Sequence, residues 1–401
     1  MSKDAFQRNA IFLAASLRAL AIGFISVYLG IYLAQQGIDP FGTGLVIAIG
    51  LIGNTGATLF VSFFGTRFGR RTLLLTLSLL MALGGILLLF GSGLHALLLA
   101  SFIGMVNGMG RDRSSLRVLD QSILPDLVPP EKRTFVFALY NVSVDLATAF
   151  GAALTALPEL AAHALHLSPQ ASAFGLYAFL FLASELAYLW TPSSHTIPKV
   201  SEPSTQLSSV SRKKVWHLAL LFMVDSLGGG FLTSSLIAYW FLVRFHPSTG
   251  TIAILFFVAR VLNSVSNFVA VWIARKIGLI RTMVFTHLPS SLFLIGVAFA
   301  PTLSIAIILF LIRESMVQMD VPTRESYTMA IVTPEERPFA AGLTSTTRNL
   351  GWAITPILGG AGMAAISPAF ALVAGSILKI LYDIILYAQF RHLKPPEEGH
   401  T

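Results

Sequence analysis

Ionisable side chains lie inside the long apolar segments of this chain, and they are the residues best placed to do chemistry. A charge in hydrocarbon is costly, so each such residue needs a physical reason. Arg18 lies in the first apolar segment and Asp225 in the seventh, at matching positions of an internal repeat. Their opposite charges predict that they pair in one conformation and separate in another, with a permanent buried salt bridge as the alternative. Three glycines, Gly228 to Gly230, follow Asp225 and ease local bending.

Other charges within apolar segments extend this set. The further candidates for a proton or substrate pathway lie in the fifth, tenth and eleventh segments: Asp145, Arg313, Glu314 and Arg348. Charges assigned to an inner gate or an interface lie in the fourth and tenth segments: Arg111, Asp112, Arg113 and Asp320. Lys379 and Asp383 are spaced i, i+4 in the last segment, and we interpret them as structural or snorkelling side chains.

The chemistry of these groups is proton exchange or anion binding. Burial favours the protonated form of a carboxylate, and a nearby arginine opposes this effect. Motion that changes an Arg–Asp distance therefore changes proton affinity, which makes Asp225, Asp145 and Glu314 candidate proton carriers. The arginines Arg18, Arg313 and Arg348 can equally hold an anionic substrate through two parallel hydrogen bonds.

Composition assigns the chain to a membrane. Of its 401 residues, 55% are hydrophobic and 11% are charged, and the mean hydropathy is +0.75. Soluble domains carry about 25% charged residues, so a soluble fold is excluded. A crossing needs about 20 apolar residues, and this length allows roughly a dozen crossings. Lys3 and Arg8 precede the first apolar run without a cleavage site, which predicts an uncleaved first helix.

Apolar stretches separated by Gly, Pro and charge clusters predict an all-α membrane protein with twelve transmembrane helices in two pseudo-symmetric six-helix bundles. The predicted spans are 11–34, 43–65, 71–91, 96–119, 134–157, 171–190, 215–242, 250–273, 282–300, 302–322, 339–364 and 367–390. A Ser- and Pro-rich stretch with a basic end predicts a cytoplasmic linker at 191–214. The predicted bundles are therefore 1–190 and 215–401.

The distribution of Lys and Arg predicts the orientation. Nearly all the basic residues between segments lie on one side, and the loops of the other side contribute only Arg244. Short cytoplasmic loops hold the basic excess, so both termini are predicted in the cytoplasm, in a cell (inner or plasma) membrane. This pattern also accounts for the net charge of +8. Because these charges are dispersed over loops, nucleic-acid binding is excluded.

The two halves of the chain repeat. Residues 127–135, LVPPEKRTF, align with residues 331–339, IVTPEERPF, at an offset of 204. In the first helix of each half, Gly23 and Tyr32 align with Gly230 and Tyr239 at an offset of 207. A duplicated six-helix unit is typical of transporters whose two bundles rock about a central site.

The segment 62–71, SFFGTRFGRR, resembles the pattern G-x-x-x-D-R-x-G-R-R of the major facilitator superfamily. Arg67, Gly69, Arg70 and Arg71 match the pattern, whereas Ser62 and Thr66 depart from it. The resemblance covers nearly the whole chain and implies the major facilitator fold. It also implies that this loop between helices 2 and 3 latches the outward-open state, because arginines there meet carboxylates and helix C-termini. A generic basic loop is the alternative.

Residues 351–360, GWAITPILGG, are similar to the G-x-x-x-G-P-x-x-G-G sequence of the antiporters of that superfamily, although here the sequence lies in helix 11 instead of helix 5. The resemblance implies efflux of small organic compounds by antiport. The chain contains none of the motifs H-E-x-x-H, G-x-S-x-G and G-x-x-x-x-G-K, and it has no cysteine. We therefore predict no enzyme activity, no cofactor, no metal and no ATP-driven pumping.

Together these patterns predict a secondary active transporter that moves a small organic solute by alternating access, most simply by proton-coupled efflux. An uptake carrier or uniporter for an organic anion is the alternative, and a non-transporting membrane sensor is a remote one. The expected partners are the small-molecule substrate, protons and membrane lipid. A duplicated chain supplies its own cavity, so the protein is expected to be a monomer.

Overall fold

The computed structural model describes residues 3–91, 93–129, 132–191, 209–330, 332 and 337–390. Within these ranges the regular structure is helical and contains no strand, which confirms the predicted all-α class. In chain order the helices are α1 (Lys3–Gln35), α2 (Pro40–Phe68), α3 (Arg70–Phe90), α4 (Leu94–Ile103), α5 (Ser115–Ile123), α6 (Arg133–Ala153), α7 (Leu157–Leu165), α8 (Pro169–Tyr188), α9 (Ser209–Phe231), α10 (Ser234–Phe245), α11 (Thr249–Ile277), α12 (Leu279–Ala298), α13 (Leu303–Glu314), α14 (Asp320–Ala330), α15 (Arg337–Ala365) and α16 (Phe370–Phe390).

Nine helices in the described part of the chain are long and apolar enough to cross a membrane. Large apolar side chains such as Phe90, Phe135 and Phe268 point outward from them, with 69–80% of their surface exposed. A bilayer, unlike water, accepts such side chains as solvent-facing groups. The predicted membrane class therefore has a structural basis, while the count of twelve crossings stays a prediction.

The chain forms two compact units, Met1–Lys199 with Thr233–Phe257, and Val200–Leu232 with Val258–Thr401. The second half of the predicted seventh helix thus belongs to the first unit, where α10 packs against α1. There Ser235 Oγ donates to the carbonyl oxygen of Ser26 at 2.7 Å. The predicted bundles 1–190 and 215–401 stay predictions, and residues 192–208 of the predicted linker lie outside the described residues.

Three of the predicted spans are broken helices. The fourth is irregular between α4 and α5, where Met105 and Gly110 adopt positive φ angles of 49° and 80°. The tenth is interrupted by turns between α13 and α14. The seventh breaks between α9 and α10, where the extended Thr233 accepts a hydrogen bond from the backbone nitrogen of Leu236. The side chains of Ser114 and Thr233 accept hydrogen bonds from backbone nitrogens at the first turns of α5 and α10, which have no partner within the helix.

The core of the first unit is built around α1, whose glycines permit close helix packing. A Cβ atom added to Gly23 would lie 2.1 Å from the carbonyl oxygen of Thr148 in α6. A Cβ atom added to Gly151 of α6 would lie 2.2 Å from the carbonyl oxygen of Leu20. Small residues on both helices therefore bring the two backbones into direct contact, as is common between membrane helices.

Candidate functional site

Arg18 lies at the centre of a buried polar cluster in the first unit. Its Nε atom donates to Asp112 Oδ2 at 2.9 Å, and its Nη2 atom donates to Asp120 Oδ2 at 2.8 Å. The guanidinium also contacts the hydroxyl groups of Tyr140 and Tyr188. The side chains of Arg18, Asp112 and Asp120 have no exposed surface. Because one cation serves two buried carboxylates, each group depends on the others for its stability.

The break in the fourth span positions this cluster. Asp112 lies in the irregular segment, and its Oδ1 atom accepts from the backbone nitrogen and the hydroxyl of Ser114 at 3.0 and 2.7 Å. Ser114 in turn caps α5 by accepting from the backbone nitrogen of Arg117. Asp120 lies one turn into α5 and also accepts from Tyr140 at 2.9 Å. The unwound backbone thus turns Asp112 toward α1, and the helix that follows it turns Asp120 the same way.

Asp225 lies in the corresponding cluster of the second unit. Its Oδ1 atom accepts from Lys379 Nζ of α16 at 2.7 Å, and its Oδ2 atom accepts from Arg324 Nη1 of α14 at 3.2 Å. Arg324 also donates to Asp320 Oδ2 at 2.5 Å. All four side chains are at least 90% buried. Both oxygens of Asp225 are therefore occupied by cations.

Two further ionisable groups continue this cluster. Nε2 of His287, in α12, lies 3.3 Å from Lys379 Nζ, and Nδ1 lies 3.0 Å from Asp383 Oδ2 of α16. Contacts thus run from Asp383 through His287, Lys379, Asp225 and Arg324 to Asp320. We call these six residues the acid–base chain. Buried charges persist in a membrane helix only when they are paired in this way, and they commonly mark ion or substrate pathways.

The two clusters are related by the internal repeat with their charges reversed. Arg18 and Asp225 are 207 residues apart, and Asp120 and Arg324 are 204 residues apart, which are the two offsets of the repeat. Each unit therefore joins its first helix to the helix that follows the break by one ion pair, with arginine and aspartate exchanged. Arg18 and Asp225 each find partners in their own unit, and the predicted exchange between them stays a prediction.

Comparison with known proteins places this architecture in a family. The family model of the Major Facilitator Superfamily matches residues 11–319, well over half of the chain. The chain belongs to the major facilitator superfamily. The uncharacterized membrane protein YJR124C of Saccharomyces cerevisiae is 23% identical to this facilitator over 380 residues, covering 86% of this chain and 85% of that protein. The all-α membrane fold and the transport of small solutes are thereby established for this protein.

Two further similarities concern proton-linked carriers. The arabinose-proton symporter of Bacillus subtilis is 33% identical over 134 residues, which cover 32% of this chain and 28% of that protein. The crystal structure of a D-xylose-proton symporter superposes with a TM-score of 0.70 at 15% identity and covers 98% of this facilitator and 99% of the symporter chain. The structural similarity at this identity concerns the fold.

The predicted latch loop of this facilitator has the glycine that its turn requires. Gly69 separates α2 from α3 with a φ angle of 76°, a conformation that favours glycine. Arg70 is buried, and its Nη1 atom donates to Asp126 Oδ2 at 2.7 Å within the first unit. Arg67 is exposed and Arg71 is half-buried. The side chains of residues 62–66 lie outside the described residues, and the latch itself stays a prediction.

The remaining pathway candidates occupy different environments. Asp145 lies on an exposed face of α6. Arg348 is half-buried in α15, where its Nε atom donates to Ser226 Oγ at 3.4 Å and its guanidinium lies 4.5 Å from the ring centroid of Trp352. Of the two, Arg348 therefore lies beside the cluster of Asp225, whereas Asp145 lies on the surface of the other unit.

The adjacent pair in the tenth span is buried at the end of α13. Arg313 and Glu314 form an ion pair with each other, and Glu314 Oε2 also accepts from Asn263 Nδ2 of α11 at 2.6 Å. The structure thus joins these two adjacent side chains to each other and to α11. Their predicted place on a pathway stays a prediction.

The residues predicted for an inner gate divide into two groups. Asp112 and Asp320 are buried partners of Arg18 and Arg324. Arg111 and Arg113 are half-buried in the irregular segment. The carbonyl oxygens of these arginines accept from Asn107 Nδ2 at 2.6 Å and from Asn54 Nδ2 at 3.0 Å, respectively. These bonds hold the unwound backbone in place.

Two predictions about the acid–base chain need correction. Of the two interpretations of Lys379 and Asp383, snorkelling is wrong, because the ammonium group of Lys379 contacts Asp225 inside the protein. Asp383 is buried and pairs with His287 of another helix. Arg324, which the charge distribution assigns to a cytoplasmic loop, is 2% exposed. The repeat carried a usable signal for Arg324, since Asp120 lies 204 residues before it and Arg18 lies 207 residues before Asp225.

Proposed function

We propose that this protein is a proton-coupled secondary transporter of a small organic solute that works by alternating access between its two bundles. We place it in a cell (inner or plasma) membrane as a monomer with both termini in the cytoplasm. The observation that carries the proposal is the acid–base chain, with Asp225 at its centre. Buried, interlinked carboxylates and bases are the groups that a membrane carrier needs to bind and release protons.

The coupling rests on competition for the oxygens of Asp225. Lys379 and Arg324 each occupy one oxygen of this carboxylate. A proton can therefore bind there only if one of the cations withdraws, and withdrawal of a cation rearranges the contact between α9 and either α14 or α16. Proton binding and helix position are thus linked, which is the requirement for coupling a gradient to a conformational change.

Two observations concern the direction of solute transport. The sequence 351–360 lies in α15 and resembles that of antiporters, which favours efflux in exchange for protons. The similarity to an arabinose-proton symporter over 134 residues favours uptake together with protons as the second candidate. Arg348, half-buried beside Trp352, provides a cation that suits an organic anion as the solute in either direction.

A test of coupling uses the purified protein in liposomes under an imposed pH gradient. The solutes are arabinose, xylose, a nucleoside, a dicarboxylate and a lipophilic cation, and an internal pH-sensitive dye reports proton movement. We expect that transport of one of these solute classes is accompanied by movement of protons across the liposome membrane. Asp225→Asn is expected to abolish gradient-driven transport while solute exchange continues. The variant lacks the carboxylate for which the proton competes with Lys379 and Arg324.

The control for this experiment is Asp4→Asn, a change of the same type at an exposed position in the first turn of α1. It is expected to leave both gradient-driven transport and exchange unchanged. Full gradient-driven transport by the Asp225→Asn variant would exclude a proton-carrying role for Asp225. If a solute crosses without moving protons in the unaltered protein, proton coupling itself is wrong.

We further propose that Arg67 controls the balance between states. Arg67→Ala is expected to shift the protein toward the inward-open state without changing solute affinity in detergent, because the exposed guanidinium at the end of α2 then no longer stabilises the outward-open state. Double electron–electron resonance measures the distance between spin labels attached to two introduced cysteines. The labels attach only at those positions, since the chain has no native cysteine.

Arg244→Ala, at the exposed end of α10, is the matched control for Arg67→Ala and is expected to leave the distance distributions unaltered. Identical distributions for the Arg67→Ala variant and the unaltered protein, with both folded, would contradict the latch.

A further inference from the structure

His287 is the only imidazole in the acid–base chain, and its two nitrogens face groups of opposite charge. Nδ1 lies 3.1 and 3.0 Å from the two carboxylate oxygens of Asp383. Nε2 lies 3.3 Å from Lys379 Nζ and 3.9 Å from Asp225 Oδ1. The side chain is 2% exposed. Because the ring lies between a carboxylate and an ammonium group, these two neighbours constrain which ring nitrogen carries a proton.

The hydrogen-bond partners assign a tautomer to His287. A lysine ammonium group has donors and no acceptor, so with Lys379 charged the contact assigns Nε2 as the acceptor. The ring proton is then assigned to Nδ1, where it is donated to Asp383. In this tautomer the imidazole is neutral, and the lone pair of Nε2 is the site at which it can take a second proton.

A proton arriving at Nε2 removes the acceptor that Lys379 uses and turns this nitrogen into a donor facing an ammonium group. Asp225 Oδ1, at 3.9 Å, is the carboxylate oxygen on that side of the ring, and it is the same atom that Lys379 holds at 2.7 Å. We propose that His287 receives the coupled proton at Nε2 and, as an imidazolium, replaces Lys379 on Oδ1 of Asp225, the carboxylate to which it can then pass that proton. This inference rests on the proposed proton-coupled function.

A proton on His287 would lie between two carboxylates. Asp225, Asp320 and Asp383 share their surroundings with the cations Lys379 and Arg324, and Arg348 lies beside Asp225. The imidazolium would then bridge Asp383 and Asp225, which are the two carboxylates on either side of the ring.

The ionisable surroundings of His287 come from every helix near α12. They are Asp383, Lys379 and Tyr382 of α16, Asp225 of α9, and Asp320 and Arg324 of α14, with Arg348 of α15 beside Asp225. The neighbouring helix α13 carries Arg313 and Glu314 at its end. The last two form an ion pair with each other, and Tyr382 meets the imidazole ring edge-on, with centroids 6.1 Å apart.

Lys379 packs closely against two glycines of α9. A Cβ atom added to Gly228 would lie 2.9 Å from Lys379 Cγ, and one added to Gly229 would lie 4.0 Å from Lys379 Nζ and 2.8 Å from Trp352 Nε1. The lysine stem thus crosses α9 at two consecutive residues that have no side chain, which brings its ammonium group to Asp225.

His287→Gln tests the proposal, since the amide keeps hydrogen-bonding capacity but takes no proton. Gradient-driven transport in liposomes is expected to fall by about a hundredfold, the low end of what a positioned proton-transferring side chain contributes. Solute exchange without a gradient should continue, and its dependence on pH should flatten. His217→Gln, at an exposed position of α9, is the matched control and should behave as the unaltered protein.

Failure of this inference is distinguishable from failure of the proposed function. Undiminished gradient-driven transport by the His287→Gln variant overturns the role of His287 while leaving coupling intact. If no solute moves protons in the unaltered protein, coupling itself fails. If the His287→Gln variant folds poorly, ¹⁵N spectra of the unaltered protein with labelled histidines show which ring nitrogens are protonated and so test the proposal directly. We expect a buried imidazole that is protonated on Nδ1 at high pH and on both nitrogens at lower pH, and a buried imidazole protonated on Nε2 alone overturns the proposal.

Discussion

Arg18→Gln is expected to lower the free energy of unfolding by about 3–5 kcal/mol, because it leaves two buried carboxylates without their cation. Asp112 and Asp120 both bind this guanidinium, and none of the three side chains has exposed surface. The hydroxyls of Tyr140 and Tyr188 stay in place, but a neutral hydroxyl cannot replace a positive charge. Titration of the detergent-solubilised protein with a denaturing detergent, followed by tryptophan fluorescence, measures the change.

Two companion variants separate lost charge from lost packing. Arg244→Gln, on the exposed end of α10, should change the free energy of unfolding by less than about 0.5 kcal/mol. Adding Asp112→Asn and Asp120→Asn to Arg18→Gln should recover part of the loss, since no unpaired charge then remains. Arg18→Gln with unaltered stability would mean that the buried cluster is not the electrostatic unit described here.

Gly23→Ala is expected to cost about 1–3 kcal/mol or more, because overpacking of a well-packed core is destabilising. The added methyl group would lie 2.1 Å from the carbonyl oxygen of Thr148, which belongs to the backbone of α6 and cannot turn aside. The two helices must separate to admit it, and Arg18 lies little more than one turn earlier on α1. The same detergent titration measures the effect.

Gly175→Ala in α8 is the matched control, since a Cβ atom there would meet nothing within 4 Å. In an open helical position, alanine is expected to stabilise by about 0.5–1 kcal/mol relative to glycine. The two substitutions are chemically identical and should change stability with opposite signs. Equal effects at both positions would contradict the close contact of α1 with α6.

Hydropathy and repeat spacing were sufficient to find the centres of both clusters. Arg18 and Asp225 stand out because each interrupts an apolar helix at a matching place, and the energetic penalty of such a charge depends on the residue and its segment alone. The partners of Lys379 and Asp383 could not be found in this way. Their i, i+4 spacing places them on one face of a helix, but packing turns Lys379 toward α9 and Asp383 toward α12.

The broken helices were harder to predict. Arg111 to Arg113 reduce the hydropathy of the fourth span, and Arg313, Glu314 and Asp320 interrupt the tenth before Pro322. Whether a polar stretch stays helical depends on which partners satisfy its backbone. Asn54, on another helix, binds the carbonyl oxygen of Arg113, and local sequence does not specify such a contact.

By itself, the sequence determined that the chain is a membrane protein, that it is duplicated, and which mid-helix charges demand partners. These properties follow from the cost of exposing each side chain to lipid, which is set residue by residue. Only the tertiary structure decided the partners: Asp112 and Asp120 for Arg18, and Lys379 and Arg324 for Asp225. The reason is geometric, because an ion pair forms only where helix packing brings two atoms within about 3 Å, and packing depends on residues far apart in the chain.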